Sequence, residues 1–305
     1  MRVVLLVNMG SPHDKKSMKT FLKKMFLDKA ILPLPFILRV VIAFIISKIR
    51  HKNSWAKYEK IGGSPLKKSM NNIKNELQKN IDSTTKISIA YSYSEPYFSD
   101  EIKRFYKSGI KDFIVIPMYP QSSFTTKGSL QNDINKIKCN DINIKLVNEF
   151  CENKLFFEFW ISLINQKIAE LNYKKPYLLF SAHSIPQYNI EKGDTYSQKI
   201  NFNAEKISSE LNLPYSVCYQ SKLGKIKWTE PDILSHLNEL KNKNIDEIII
   251  IPISFISENL ETLYDLDLEI IPYAKQKIGI NNIGRINIPL KNEVIIKMFN
   301  EIIIL

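Results

Sequence analysis

An α/β architecture in two similar halves, each a parallel sheet flanked by helices, is predicted by three features of the sequence. Short apolar runs at residues 3–7, 113–116 and 248–251 lack the polar alternation of half-exposed strands, so they suit strands buried on both faces. Segments with helical spacing separate these runs, the alternation expected when helices cover a parallel sheet. The pattern Ile-x-x-x-Ile-x-Ile-Pro stands at 110–117 and again at 245–252, so the chain reads as two copies of one unit. The joint falls near 148–155. This gives a first domain over 1–150, joined by a closing helix at 288–305, and a second over 151–287. Ligand is expected at the carboxyl ends of the strands, in a cleft between the halves.

In order, a strand at 3–8 closes in the turn Met9-Gly10-Ser11-Pro12, and 14–28 has helical spacing. Residues 30–49 are strongly apolar, with Leu32, Leu34, Phe36, Ile37, Leu38, Val40, Val41, Ile42, Phe44, Ile45 and Ile46. About twenty such residues can span a bilayer, but Pro33, Pro35 and Arg39 interrupt this run and Lys48, Arg50, His51 and Lys52 close it, which argues against a spanning helix. What remains is a buried core helix or an apolar lip over a hydrophobic ligand, in touch with a membrane interface. Gly62-Gly63-Ser64-Pro65 turns into a helix at 67–80. A strand at 86–93, a helix at 98–109 and a strand at 113–116 complete the first half. The second half places strands at 177–181, 216–219 and 245–252, a helix at 201–211, an acidic helix at 255–269 and the closing helix at 291–305.

The 305 residues, 44% hydrophobic, are enough for real cores. Cys139, Cys151 and Cys218 have no C-x-x-C spacing, which argues against a zinc or iron–sulfur signature and a disulfide framework, and favours a reducing cytoplasm. The N-terminus reads as a strand rather than a signal peptide. The net charge of +12 comes mainly from lysines spread along the chain, with no recognition motif and no dense basic arm. Nucleic acid is therefore not the expected partner; attraction to an anionic membrane surface or to acidic small molecules is the sharper consequence.

Chemistry concentrates at two strand ends. In 255–269, Glu261, Asp265 and Glu269 recur every four residues and form one acidic row, while Leu260, Leu263, Tyr264 and Leu268 supply the packing face. Like charges at this spacing cost about 0.2–0.5 kcal/mol per pair. By itself the row suits plain solvation; its place at the carboxyl edge of a sheet favours the handling of a cation. His183 follows another strand. Alone it would read as a packed or capping histidine, but an imidazole facing Glu261 forms a pair able to accept protons near neutral pH. His13, His51 and His236 have no such setting. The polar stretches Tyr119-Pro120-Gln121-Ser122-Ser123 and Gln220-Ser221-Lys222 are hydrogen-bonded turns or ligand contacts.

Seven motifs then fall in register: Leu6-Val7-Asn8-Met9-Gly10-Ser11-Pro12, Gly63-Ser64-Pro65-Leu66, Pro117-Met118-Tyr119-Pro120-Gln121, Ser181-Ala182-His183-Ser184-Ile185-Pro186, Gly193-Asp194-Thr195-Tyr196, Gln220-Ser221-Lys222-x-Gly224 with Trp228 and Pro231, and Phe255-x-Ser257-Glu258-x-x-Glu261-Thr262-Leu263. In order and spacing they resemble the ferrochelatase family over about residues 3–290. The resemblance implies a chelatase fold of two Rossmann-like domains with an active-site cleft between them. It also implies insertion of Fe²⁺ into protoporphyrin IX, the last step of haem synthesis.

The family's active-site histidine falls on His183 and its catalytic glutamate on Glu261, with His183, Glu261, Asp265 and Glu269 handling the metal. Asp265 and Glu269 would lie roughly 6 Å and 12 Å beyond Glu261 at about 1.5 Å per residue. Porphyrin contacts fall on Met9, Tyr119, Gln121, Ser122, Ser184, Ile185, Pro186, Lys222 and Phe255. The chain looks like the bacterial form without the cluster-bearing tail, which implies Fe²⁺ as substrate, no iron–sulfur cluster and no tightly bound cofactor. A cytoplasmic monomer, peripheral to the inner membrane surface through the lip, is expected. The chain departs from the family pattern at Glu258-Asn259, where a histidine usually follows the acid, at Lys222 for arginine, at Thr195 for proline and at Tyr93-Ser94-Glu95-Pro96. Rival readings are a chelatase for another tetrapyrrole or metal, and a tetrapyrrole carrier without turnover.

Overall fold

The computed structural model describes residues 1–138, 141–222, 224 and 226–304, so expectations that touch Cys139 and Leu305 lie outside the described residues. The chain divides into two compact units, Met1–Glu149 with Leu290–Leu305, and Phe150–Pro289.

In the first unit, β1 (Arg2–Asn8), β2 (Thr85–Tyr91), β3 (Asp112–Pro117) and β4 (Asn143–Leu146) form a parallel sheet in the order β2-β1-β3-β4. The unbroken apolar run of β1 follows from its central place. Val3, Leu5 and Val7 pack with Ala90, Phe98, Ile102 and Leu130 on one face, and Val4 and Leu6, pointing the other way, are fully buried too. Each such side chain contributes about 1.5–3 kcal/mol by leaving water. The helices are α1 (Lys15–Leu27), α2 (Phe36–Lys60), α3 (Leu66–Lys79), α4 (Phe98–Lys107) and α5 (Thr126–Asn135). α1 starts at a capping box in which Asp14 accepts from the Ser17 N–H at 2.7 Å and Ser17 Oγ accepts from the Asp14 N–H at 3.0 Å.

The apolar stretch in α2 is not core. Phe36 is 65% exposed, Ile37 76%, Val41 51%, Phe44 53% and Ile49 68%, while Ala43, Ser47 and Tyr58 are its buried residues. The core-helix alternative therefore fails, and α2 presents an apolar face to the surface. The basic residues expected to close the stretch instead continue the helix to Lys60. Among the described residues no helix is long and apolar enough to cross a membrane.

In the second unit, β5 (Tyr177–His183), β6 (Tyr215–Gln220), β7 (Glu247–Ile251) and β8 (Asn282–Arg285) form a parallel sheet in the order β6-β5-β7-β8. Strand for strand this is the topology of the first sheet, as the repeated isoleucine pattern predicts. α6 (Lys154–Leu171), α7 (Gln187–Glu191), α8 (Tyr196–Leu211) and α9 (Ile233–Asn242) surround it. Leu179, Ile248 and Ile250 on one face pack with Leu237 and Leu240 of α9 and with Leu266 and Ile270.

Two expectations for this unit need correction. β5 runs through His183, which is its last residue rather than part of the following loop. The acidic helix does not begin at Phe255. Residues 252–259 are a connecting loop that turns into the helix at Leu260, and Glu261–Ile270 is wound as a π-helix. One α turn, α10 (Ile271–Tyr273), and a second π segment, Ala274–Ile278, follow before Gly279 ends the stretch at φ +81°. Finally α11 (Glu293–Ile304) returns to the first unit and packs on α3, with Met298 and Phe299 buried.

The turn after β1 requires glycine. Gly10 has φ +88°, and a Cβ there would stand 2.1 Å from Ser94 Oγ and 2.9 Å from Tyr91 Cβ. Left-handed backbone strain and overpacking together set the expected cost of Gly10→Ala at about 2–4 kcal/mol in urea unfolding, and a loss under about 0.5 kcal/mol would contradict this geometry. Ile37→Ser and Val41→Ser on α2 should each change stability by no more than about 0.5 kcal/mol in the same assay, because neither side chain is core.

Candidate active site

The carboxyl edge of the second sheet gathers the candidate residues of that unit. The β5–β6 ladder sets His183 opposite Gln220. Gln220 is buried; its Oε1 accepts from Ser181 Oγ at 2.8 Å and its Nε2 donates to the Glu261 carbonyl at 3.5 Å. A short bonded chain thus runs from β5 through β6 to the first residue of the π-helix. The His183 N–H donates to Ser254 Oγ at 3.2 Å, which ties β5 to the loop after β7. Tyr196 lies against the same two groups, with its hydroxyl bonded to Ser254 and to the backbone of His183; burial first of all pushes this phenol far above its ordinary range.

The segment after His183 is held as firmly. The Ser184 N–H donates to the Gln220 carbonyl at 2.8 Å, Ile185 N–H donates to Thr229 Oγ1 at 3.2 Å, and Ser184, Ile185 and Pro186 are buried.

Along the acidic row the environment changes in steps. Glu261 and Asp265 are half-buried and Glu269 is exposed. Asp265 Oδ2 accepts from Ser221 Oγ at 2.7 Å. In an α-helix a step of four residues overshoots one turn; where each bond spans five residues the same step falls short of one. The row keeps to one side of the helix in either case. The spacings of 6 Å and 12 Å do not carry over, since they assume the α-helical rise.

Another stripe of the π-helix carries a charge network that the sequence pattern did not signal. Arg285, at the end of β8, is 4% exposed. Its Nε and Nη2 donate to the two Asp267 oxygens at 2.8 and 2.7 Å. Its Nη1 donates to both Glu258 oxygens at 2.9 and 3.1 Å and to the Ile286 carbonyl at 2.8 Å. Burial alone would push this guanidinium down, but Asp267 and Glu258 more than offset it and hold the group above its ordinary value.

Glu258 also accepts from the Ile288 N–H at 2.8 Å and from Thr262 Oγ1. Asn259 and Thr262 cap each other: Asn259 Oδ1 accepts from the Thr262 N–H at 2.9 Å and Thr262 Oγ1 from the Asn259 N–H at 3.0 Å. Asn259, the family departure, is thus part of the helix start. Arginine is rare in this lysine-rich chain, and an arginine closing a short strand was the available signal for Arg285.

The other sequence-predicted residues are placed as follows. Lys222 is exposed, with its Nζ 3.3 Å from Asp232 Oδ2; Asp232 caps α9 by accepting from the Leu234 N–H at 3.0 Å. Phe255 is half-buried in the loop after β7. In the first unit, Met9 N–H donates to the Tyr119 hydroxyl, which reaches Asn8 Oδ1 at 3.5 Å. Ser122 donates to Glu149 Oε2 through its N–H at 3.2 Å and its hydroxyl at 2.9 Å, and Gln121 is buried. Cys151 and Cys218 are both buried; burial raises the Cys218 thiol.

The ferrochelatase family model matches residues 2–304. The ferrochelatase of Aquifex aeolicus (strain VF5) is 34% identical over 289 residues, covering 93% of this chain and 92% of the relative. That of Rickettsia bellii (strain OSU 85-389) is 36% identical over 311 residues, covering 99% and 86%. Among solved structures, SirB from Bacillus subtilis with Fe3+ has a TM-score of 0.59 at 12% identity, covering 98% of this chain and 93% of that one, a likeness of fold. With two parallel sheets of matching topology in a chelatase fold and a family match that runs nearly from end to end, the chain belongs to the ferrochelatase family.

Proposed function

We propose that this chain is a ferrochelatase, a lyase that inserts Fe²⁺ into protoporphyrin IX to give protohaem with release of two protons. The observation that carries the reading is the carboxyl edge of the second sheet, where His183 pairs in register with Gln220 and the Gln220 side chain donates to the Glu261 backbone carbonyl, continued by an acidic row that runs from half-buried to exposed. Family membership supports it.

Insertion forms iron–nitrogen bonds as two pyrrole N–H bonds break, so the site must bring in a dication and remove two protons. His183, whose backbone is fixed by Ser254 and the β5–β6 ladder, accepts the pyrrole protons one at a time. Glu261 stabilises the resulting imidazolium and passes each proton towards solvent. Asp265 and Glu269 continue the row outward and draw Fe²⁺ in. Carboxylates are hard ligands that hold Fe²⁺ loosely enough to let it move on. A porphyrin bound bent exposes its nitrogen lone pairs to the arriving metal. Ile185, Pro186 and Phe255 supply apolar contact in the second unit, and Lys222 a positive charge for a propionate, as a point charge rather than a bidentate fork.

The chain is further read as a cytoplasmic monomer without a tightly bound cofactor or iron–sulfur cluster. The exposed apolar face of α2 makes peripheral contact with the inner membrane surface or covers the porphyrin.

Anaerobic incubation with Fe²⁺ and protoporphyrin should yield the haem absorption spectrum. Absence of that spectrum with protoporphyrin and also with coproporphyrin would contradict the reading, and tight haem binding without turnover would favour a carrier. His183→Ala and Glu261→Gln should each lower kcat by about 10²-fold or more while porphyrin binding stays within about threefold. Wild-type rates in both would refute the assignment.

A further inference from the structure

We propose that Arg285 is a positioning residue for the Glu261 carboxylate, acting by bridging the loop that enters the π-helix and the helix's own far half. The inference rests on the proton-relay role proposed for Glu261. Arg285 is the last residue of β8, where the ladder pairs it with Ile250 of β7, so the sheet fixes its backbone. From that anchor one planar guanidinium reaches both partners at once, Glu258 through Nη1 and Asp267 through Nε and Nη2. Glu258 in turn accepts from Thr262, the residue after Glu261, and Thr262 is locked by its reciprocal cap with Asn259.

Thr262 and Asp267 are five residues apart. In an α-helix that separation leaves them about 140° from alignment; in a helix whose bonds span five residues they fall much nearer to one side, about 50° apart. The π winding and the arginine are thus compatible: Asp267 on the helix and Glu258 in the loop before it, itself bonded to Thr262, meet one guanidinium, and this clamp holds the turn that carries Glu261. Because the Arg285 guanidinium is taken up by Asp267, Glu258 and the Ile286 carbonyl, it acts through Glu261 and not on the porphyrin.

Lysine keeps the charge at this position but cannot bridge two carboxylates in a plane. Arg285→Lys should therefore lower kcat by about 10- to 100-fold with the porphyrin KM held within about threefold, since small displacements of a reacting group are this costly. Amide hydrogen exchange should quicken at residues 259–270 and remain unchanged in β5. A folded Arg285→Lys enzyme with wild-type kcat would overturn the proposal, as would a fall in kcat matched by an equal change in porphyrin KM with exchange at 259–270 unaltered.

Should Arg285→Lys fail to fold, Asp267→Asn removes one charge-assisted bond and leaves a neutral pair of Arg285 and Glu258. It should show the same kcat-only loss at about 3- to 10-fold with faster exchange in the same segment; wild-type values of both would refute the bridge. A wild-type protein that forms no haem sinks the proposed function instead, and the exchange measurement still decides whether Arg285 holds the segment.

Discussion

The second unit depends on one buried cation shared by two carboxylates. Arg285 would be costly to bury alone, and Glu258 and Asp267 equally so; removing one partner from such a set typically costs about 3–5 kcal/mol, because a charge is left without its counter-ion. The three groups come from the end of β8, the loop after β7 and the middle of a helix. Their mutual need ties those elements together where apolar packing alone would leave them free to slide. One of them is a stretch of π winding far longer than the single turns in which that geometry usually occurs.

From that constraint the helix acquires distinct stripes. One holds Asp267 on the arginine and Thr262 on the arginine's other partner, Glu258. Another carries Glu261, Asp265 and Glu269, whose surroundings loosen from half-buried at the first two to open solvent at the last. A third buries Leu266 and Ile270 against β7 and α9. In the proposed reaction the inner end of the acidic row works beside His183, and the outer end meets the ion in water. Fixed position is needed at the inner end, which the Asn259–Thr262 cap secures directly and the arginine through Glu258. The ladder that sets His183 opposite Gln220 joins the inner strand β5 to the buried end of the edge strand β6, so the His183 side of the proposed proton path is anchored in the sheet.

Much of this was legible in the sequence because local signals agreed with tertiary placement. The central strands announce themselves as apolar runs since both faces are covered, and the isoleucine pattern at β3 and β7 gives the duplication. The acidic row is readable because a four-residue period stays on one side of either kind of helix. The edge strands β4 and β8 escaped notice: Asn-Ile-Lys-Leu and Asn-Ile-Gly-Arg are too short and too polar to stand out. The π winding was invisible because no local period marks it, and no local propensity encodes the Arg285 contacts to partners 18 and 27 residues away. Residues 30–49 were open in the sequence: their composition suits a core helix or an apolar lip, and only the structure, which places Ile37 and Phe36 at the surface, decides against the core.

The central claim is that Arg285 serves the reaction only by way of Glu261, and a double-mutant cycle tests it most directly. Glu261→Asp keeps a carboxylate and a measurable rate but withdraws it by one methylene. If the two residues form one unit, adding Arg285→Lys to Glu261→Asp should lower kcat by less than about threefold, far short of its effect in the wild-type background. Losses that multiply in full across the two substitutions would mean that Arg285 and Glu261 act independently, and that the arginine does not set the position of the carboxylate.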